Sequence, residues 1–305
     1  MTTSGAGHRS SNLSLGAAQM IGAAFFFALM ATGVQVASEG LPSAMVVFFR
    51  NAVALVLVAP IALSAGLQAI KTQRLGEHAL RTIAGLASMY CFFYAIAHLR
   101  LAEAVLLQYT LPLFVPLVEA AWLREKMPRR LWWPIWFGFA GVLLVLKPGM
   151  GLFRGAALVG LAAGLLSAVA QTGVRRMTST EPTSRIIFYF SLLSTLTSAV
   201  PAGFAWVTPA APTMLVLVLV GAAAATAQML MTRAYSCAPA SQVGAFTYVN
   251  IPFAILFDWI RLSRLPDRWS VAGAILICGA GVFMLRLGKG ARATAAATSF
   301  QDPAP

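Results

Sequence analysis

The sequence predicts an all-α membrane protein of ten transmembrane helices, arranged as two inverted five-helix repeats. Three observations carry that prediction: a composition too apolar for water, ten apolar runs of about spanning length, and a fixed offset that maps one half of the chain on the other.

The composition is the most general of the three. Of 305 residues, 59% are hydrophobic and only 10% charged, whereas a soluble domain carries roughly 25% charged residues. The mean hydropathy of +0.79 points the same way. Soluble enzymes and disordered scaffolds are excluded. A formal charge of +13 would suit nucleic acid only if the basic residues gathered on one soluble face. Here they sit in short clusters between apolar runs, as topology signals do, so a lipid bilayer and not nucleic acid is the expected partner. Cys91, Cys237 and Cys278 lie inside apolar runs at no metal or redox spacing, and no disulfide framework is expected.

A helix needs about 20 apolar residues to cross a hydrocarbon core of roughly 30 Å. Ten runs meet or approach that length: Leu15 to Ala37, Ala44 to Leu67, Arg81 to Ala97, Leu101 to Leu123, Leu131 to Leu146, Gly155 to Val174, Ile186 to Trp206, Thr213 to Thr232, Ala240 to Ile260 and Trp269 to Leu285. The third, fifth and tenth are short, and Pro60, Pro112, Pro116, Pro134 and Pro252 fall inside runs. Membrane helices tolerate proline where neighbouring helices or water satisfy the freed carbonyls. The first run is longer than the core of a secretory signal and no Ala-x-Ala site closes it, so it is expected to be a retained helix. The polar ends, 1–14 and 288–305, are expected to be disordered cytoplasmic tails.

Lys and Arg set the orientation, because cytoplasmic loops carry their excess. With the N-terminus inside, 15 of the 22 fall on the cytoplasmic side, namely Arg9, Lys71, Arg74, Arg81, Arg124, Lys126, Arg129, Arg130, Arg175, Arg176, Arg185, Arg233, Arg286, Lys289 and Arg292. Six fall outside, Arg100, Lys147, Arg154, Arg261, Arg264 and Arg268, and Arg50 lies within a run. The expectation is a multi-pass protein of the cytoplasmic (inner) membrane with both termini cytoplasmic. The outer cluster Arg261, Arg264, Arg268 pulls the other way.

Sliding the chain on itself by 140 residues aligns the halves without a gap. Thr32, Gly33, Val34 fall on Thr172, Gly173, Val174; Phe48, Phe49 on Phe188, Tyr189; Met89 on Met229; Pro112 on Pro252; and Ala140, Gly141, Val142 on Ala280, Gly281, Val282. Five helices per repeat is an odd number, so the second repeat, 155–287, enters the membrane upside down relative to the first, 15–147. Inverted repeats of this kind are the architecture of many secondary transporters, with the substrate site near the midplane between them.

The second run opens Val46-Val47-Phe48-Phe49-Arg50-Asn51, the fourth reads Leu111-Pro112-Leu113-Phe114 and ends Leu123-Arg124-Glu125, and the fifth closes Ala140-Gly141-Val142-Leu143-Leu144. In these motifs the chain resembles the drug/metabolite transporter superfamily, EamA type, over nearly its whole length, and within it the branch containing S-adenosylmethionine carriers. The second repeat departs from the pattern where Leu265 takes the slot aligned with Glu125. The resemblance implies ten helices, both termini cytoplasmic, no cofactor, and alternating access to a central cavity.

Polar side chains at membrane depth are costly and normally face the bundle or a wet cavity. Gln108 and Glu119 are eleven residues apart, which leaves them about 20° apart around a helix, with Pro112 about 40° from Gln108. Tyr248 occupies the position equivalent to Gln108 under the offset. Both are candidates for the cavity wall, the alternative being hydrogen bonds between helices. Tyr90 and Tyr94 stand one turn apart with His98 another turn on; they suit a planar or cationic solute, or an interfacial belt. Asn250 and Gln228 are weaker candidates, because neighbouring backbone can satisfy either amide.

Arg50 lies roughly 12 Å below the outer surface by helical rise. It is read either as snorkelling or ion-paired, or as the ligand of an anionic group such as a substrate carboxylate. Glu119 is read as an edge ion pair with Arg124 or as a proton-coupling carboxylate, and Asp258 as an i,i+3 partner of Arg261. Gly33, Gly173, Gly141 and Gly281 are assigned to close helix packing, and Trp132, Trp133 and Trp136 to an interfacial anchor.

A membrane enzyme needs a nucleophile, an acid/base pair or a metal site in mutual reach. The histidines are His8, His78 and His98, and no His-Glu-x-x-His, Gly-x-Ser-x-Gly or phosphate-cradling loop is present. A channel would more naturally show rings of charge or a filter loop. The sequence therefore predicts a secondary transporter of a small metabolite, such as an amino acid or a nucleoside-like solute, acting as a monomer or homodimer. The alternatives are an exporter of drugs or toxic metabolites and, further off, a channel or lipid-handling protein.

Overall fold

The computed structural model describes residues 13–64, 66, 71–122, 129–146, 155–177, 180–237, 244–263 and 265–299. All regular structure among them is helical. The elements are α1 (Leu13–Ala37), α2 (Ser43–Leu63), α3 (Leu75–His98), α4 (Leu101–Gln108), α5 (Leu111–Trp122), α6 (Trp132–Leu146), α7 (Gly155–Met177), α8 (Thr183–Phe204), α9 (Ala211–Cys237), α10 (Asn250–Leu262) and α11 (Arg268–Ser299). Two 3₁₀ segments, Arg129–Leu131 and Gly244–Val249, precede α6 and α10.

Seven helical stretches among the described residues are long and apolar enough to cross a membrane, and Trp132–Leu144 and Arg268–Ala280 are shorter apolar helices. Their outward faces carry Val56, Phe204 and Trp133, all strongly exposed. In water such a surface would drive aggregation; in a bilayer it meets lipid.

The fourth expected run is not one helix. It breaks at Tyr109 and Thr110 between α4 and α5, because Pro112 has no N–H to give the carbonyl four residues back. At the break the Leu107 carbonyl accepts from the Thr110 N–H at 3.2 Å and from Thr110 Oγ1 at 2.6 Å. The ninth expected run changes character at the equivalent place, from 3₁₀ at Val249 to α10 at Asn250, two residues before Pro252. Pro42 and Pro182, also 140 residues apart, stand immediately before α2 and α8, where a missing N–H costs nothing.

The packing partners follow the same offset. Helix α1 packs on α9 and α3 on α7; α10 packs on α1 and α5 on α7; α2 packs on α8, and α6 on α11. Adding 140 to the residue numbers exchanges the members of each of these relations. One large core joins both halves and contains Met45, Phe93, Leu107, Leu217, Tyr248 and Ile277. Small residues set its close approaches: a Cβ on Gly33 would lie 2.6 Å from Val220 Cγ2, and one on Gly141 would lie 2.8 Å from the Gly273 carbonyl oxygen.

Two further expectations are corrected. Helix α11 continues to Ser299, so residues 288–299 are helical where the sequence predicts a disordered tail; alanines 291, 293 and 295–297 supply strong intrinsic helix propensity. Asp258 does not pair with Arg261. Its Oδ2 accepts the Ala102 N–H at 3.0 Å, capping the first turn of α4, while Arg261 donates to Gln35 at 2.8 Å and to Glu39.

Candidate functional site

A narrow crevice lies between α2, α3, α8 and α9, lined by Arg50, Val58, Arg81, Phe190, Ser191 and Gln228 among others. Its lining comes from the middle of α2 and α9 and the earlier halves of α3 and α8. It therefore lies near mid-depth, displaced toward the end of the bundle where α2 and α9 end and α3 and α8 begin.

Arg50 is buried, with 5% of its surface exposed. Its Nη1 donates to Asn51 Oδ1 at 2.7 Å, and Asn51 is itself held by Nδ2 donating to the Val47 carbonyl at 2.9 Å. Arg50 Nε is buried without a partner. Arg81 reaches the same crevice from α3, its guanidinium carbon 3.8 Å from the centroid of the Phe190 ring. Its Nε and Nη1 are also buried without partners. The 140 offset maps Arg81 on Gly221 and Phe190 on Arg50, and that second pair is also in contact: a Cβ on Gly221 would lie 3.3 Å from the Arg50 carbonyl oxygen.

Deeper in the bundle, three side chains named from the sequence carry buried polar atoms without partners: Gln108 Oε1, Tyr90 Oη and Tyr248 Oη. The Gln108 amide nitrogen donates to Ser167 Oγ at 2.6 Å. Ser167 and Ser88 hydroxyls are 2.7 Å apart, and Ser88 donates to the Ala163 carbonyl at 2.8 Å. This relay ties α4 to α7 and α3, and pattern reasoning did not foresee it because serines at helical depth are common. The Tyr248 ring meets Tyr109 at a centroid distance of 6.1 Å.

The remaining candidates lie elsewhere. Asn250 is buried and donates to the Ala24 carbonyl at 2.8 Å, so it ties α10 to α1. Tyr94 is exposed near the end of α3 and stacks on His98 at 4.0 Å. Glu119 is half-buried on α5, while Arg124, its expected partner, lies outside the described residues. Gln228 shares the crevice with Arg50. Arg81 was counted only as a topology marker, although its offset equivalent is a glycine, a mismatch that could have singled it out.

Polar contacts tie the two halves of the chain at both ends of the bundle. At the crevice end, Glu181 accepts from Thr72 at 2.8 Å and from Arg185 at 2.7 Å, with the His78 ring 3.9 Å away. His78 stacks on Tyr189 at 4.7 Å. Burial pushes the Glu181 carboxyl up, but the hydrogen bonds from Arg185 and Thr72 and the neighbouring positive charge outweigh it and hold it below its ordinary range. At the opposite end, Arg100 bridges Glu103 and Asp267, each at 2.6 Å, and Arg261 bridges Glu39.

The model of the EamA-like transporter family matches residues 14–147 and again 154–286. The chain is 33% identical to the pseudopaline exporter of Pseudomonas aeruginosa over 88% of its own length and 95% of the relative's. It is 30% identical to the riboflavin transporter of Vibrio cholerae, over 86% and 90%. The S-adenosylmethionine uptake transporter of Rickettsia bellii is 23% identical, over 79% and 82%. A crystal structure at 18% identity shares the fold with a TM-score of 0.59, covering 87% of this chain and 94% of that one.

Proposed function

Because the chain belongs to the EamA-like transporter family, a multi-pass membrane transporter family within the drug/metabolite superfamily, we propose that it is a secondary carrier of a small metabolite working by alternating access. Two five-helix halves, inverted relative to each other, enclose the transport path, and both termini face the cytoplasm. The observation that carries the reading is a shared irregularity. The fourth run is broken at Tyr109–Thr110 and the ninth passes from 3₁₀ to α-helix at Val249–Asn250, 140 residues apart, and irregular helices at the repeat interface are where such carriers bind their solute. The exchange of packing partners under the same offset supports it, as does the double match of the family model. Gln108, Tyr248 and Tyr90 are proposed to line the path, since each has a buried polar atom with no partner. Export is favoured by the similarity to the pseudopaline exporter. A nucleoside-like or vitamin-like solute is the second reading, drawn from the riboflavin and S-adenosylmethionine relatives.

The test uses the contact between Thr72 and Glu181 as a clamp. With Cys91, Cys237 and Cys278 replaced by serine, Ser191→Cys should react with an impermeant thiol reagent applied from the crevice end. A Thr72→Cys/Glu181→Cys cross-link should block that reaction. A cross-link that leaves the labelling rate unchanged refutes alternation at this end.

A further inference from the structure

Arg50 and Arg81 are two cations in one apolar crevice, and no carboxylate among the described residues pairs with either. Of the described acids at that end of the bundle, Glu77 is engaged with Arg74 at 3.2 Å and Arg176 at 3.6 Å, and Glu181 with Arg185 and Thr72. A charged side chain at membrane depth without a counter-charge is expensive, and its presence marks a functional site by default.

The geometry says what is missing. Arg81 holds its guanidinium carbon 3.8 Å from the centroid of the Phe190 ring, a cation–π contact that does not replace a hydrogen-bond acceptor for its N–H donors. Two of its nitrogens and Arg50 Nε are buried and unused. Packing does not demand the charges, since the offset equivalents are Phe190 for Arg50 and Gly221 for Arg81. The fold accepts an aromatic ring and a bare backbone at the same places in the other half.

We propose that Arg50 and Arg81 form an anion subsite that receives a carboxylate or phosphate group of the transported molecule, so the solute is an organic anion or zwitterion. The proposal rests on the carrier reading. Arg50, anchored by Asn51, is the fixed member, and Arg81 closes the fork from α3.

The test is thermal unfolding of the full chain in phosphatidylcholine nanodiscs at constant ionic strength, with succinate, inorganic phosphate or neutral succinamide as probes. Succinate or phosphate should raise the melting temperature and succinamide should not. Arg50→Gln and Arg81→Gln should each raise the half-maximal anion concentration at least about tenfold, as expected for losing a hydrogen bond to a charged group. Arg81→Lys should keep part of the affinity, and Arg176→Gln should behave as wild type. Absence of any anion response in wild type, or unchanged responses in both Arg→Gln variants, overturns the proposal. So does a response given only by phosphatidylglycerol in the disc, which would assign the crevice to a lipid headgroup. If Arg50→Gln does not fold, the two Arg81 variants carry the test. A failure here with the Thr72–Glu181 clamp still controlling access to position 191 removes the subsite and leaves the carrier.

Discussion

Gly141→Ala should destabilise the protein, whereas Gly173→Ala, at a second glycine that the sequence assigns to the same close-packing role, should not. An ideal Cβ at Gly141 falls 2.8 Å from the Gly273 carbonyl oxygen, 2.9 Å from Leu276 Cβ and 3.0 Å from Ile277 Cγ1. Two of those three atoms belong to the backbone or its first side-chain carbon and cannot rotate away, so α6 and α11 must move apart. Overpacking of this kind costs about 1–3 kcal/mol, against which alanine regains up to about 1 kcal/mol of helix propensity. Because two of the three contacts cannot yield, the cost falls in the upper part of that range, about 2–3 kcal/mol, and the net loss is about 1–2 kcal/mol, or roughly 2–8 °C in melting temperature at 2–4 °C per kcal/mol. At Gly173 the nearest atom, Trp122 Cη2, is 3.6 Å away, an ordinary contact, and only the propensity gain remains. The assay is a fluorescence melt of the purified protein at one fixed scan rate, because unfolding of such proteins is often irreversible. Melting temperatures equal within a degree for Gly141→Ala and wild type, or a fall at Gly173→Ala matching that at Gly141→Ala, would refute the packing argument.

In a cysteine-free background, an impermeant reagent outside intact cells should label His98→Cys and miss Arg176→Cys; the reverse pattern inverts the topology. Gln108→Ala should weaken apparent affinity for the transported solute by about 5- to 150-fold, the equivalent of 1–3 kcal/mol for one buried polar contact, with protein still in the membrane. Normal transport by both Gln108→Ala and Tyr248→Ala at limiting solute would reduce the two residues to helix-packing roles. Glu181 has its folded-state pKa depressed, so its stabilisation is complete above the unfolded carboxylate value of about 4.3 and is lost as pH falls through the lower folded value. Glu181→Gln should therefore melt below wild type at pH 7, and the two curves should converge as the pH is taken below about 4. A constant gap across that range would show that the Glu181 charge is not what stabilises the contact.

The membrane class and the internal offset were legible in the sequence because both are local properties of the chain. Whether a run of twenty residues prefers lipid depends on its own side chains and on the bilayer, and a duplication leaves matches such as Thr32-Gly33-Val34 and Thr172-Gly173-Val174 whatever the fold. The break at Tyr109 and the change from 3₁₀ to α-helix at Val249 were half legible: Pro112 and Pro252 mark them, but a proline alone does not say whether a membrane helix bends or stops. Arg50 was singled out because it lies inside an apolar run. Arg81 was not, because at the edge of a run an arginine reads as a topology marker. Only the packing of α3 on α8 sets its guanidinium over Phe190 and beside the same crevice as Arg50. The same holds for Asp258, whose neighbour in sequence is Arg261 but whose partner is the Ala102 N–H on another helix. In hydrocarbon a polar group has no water to fall back on, so its partner is decided by which helices touch, and that choice belongs to the tertiary structure.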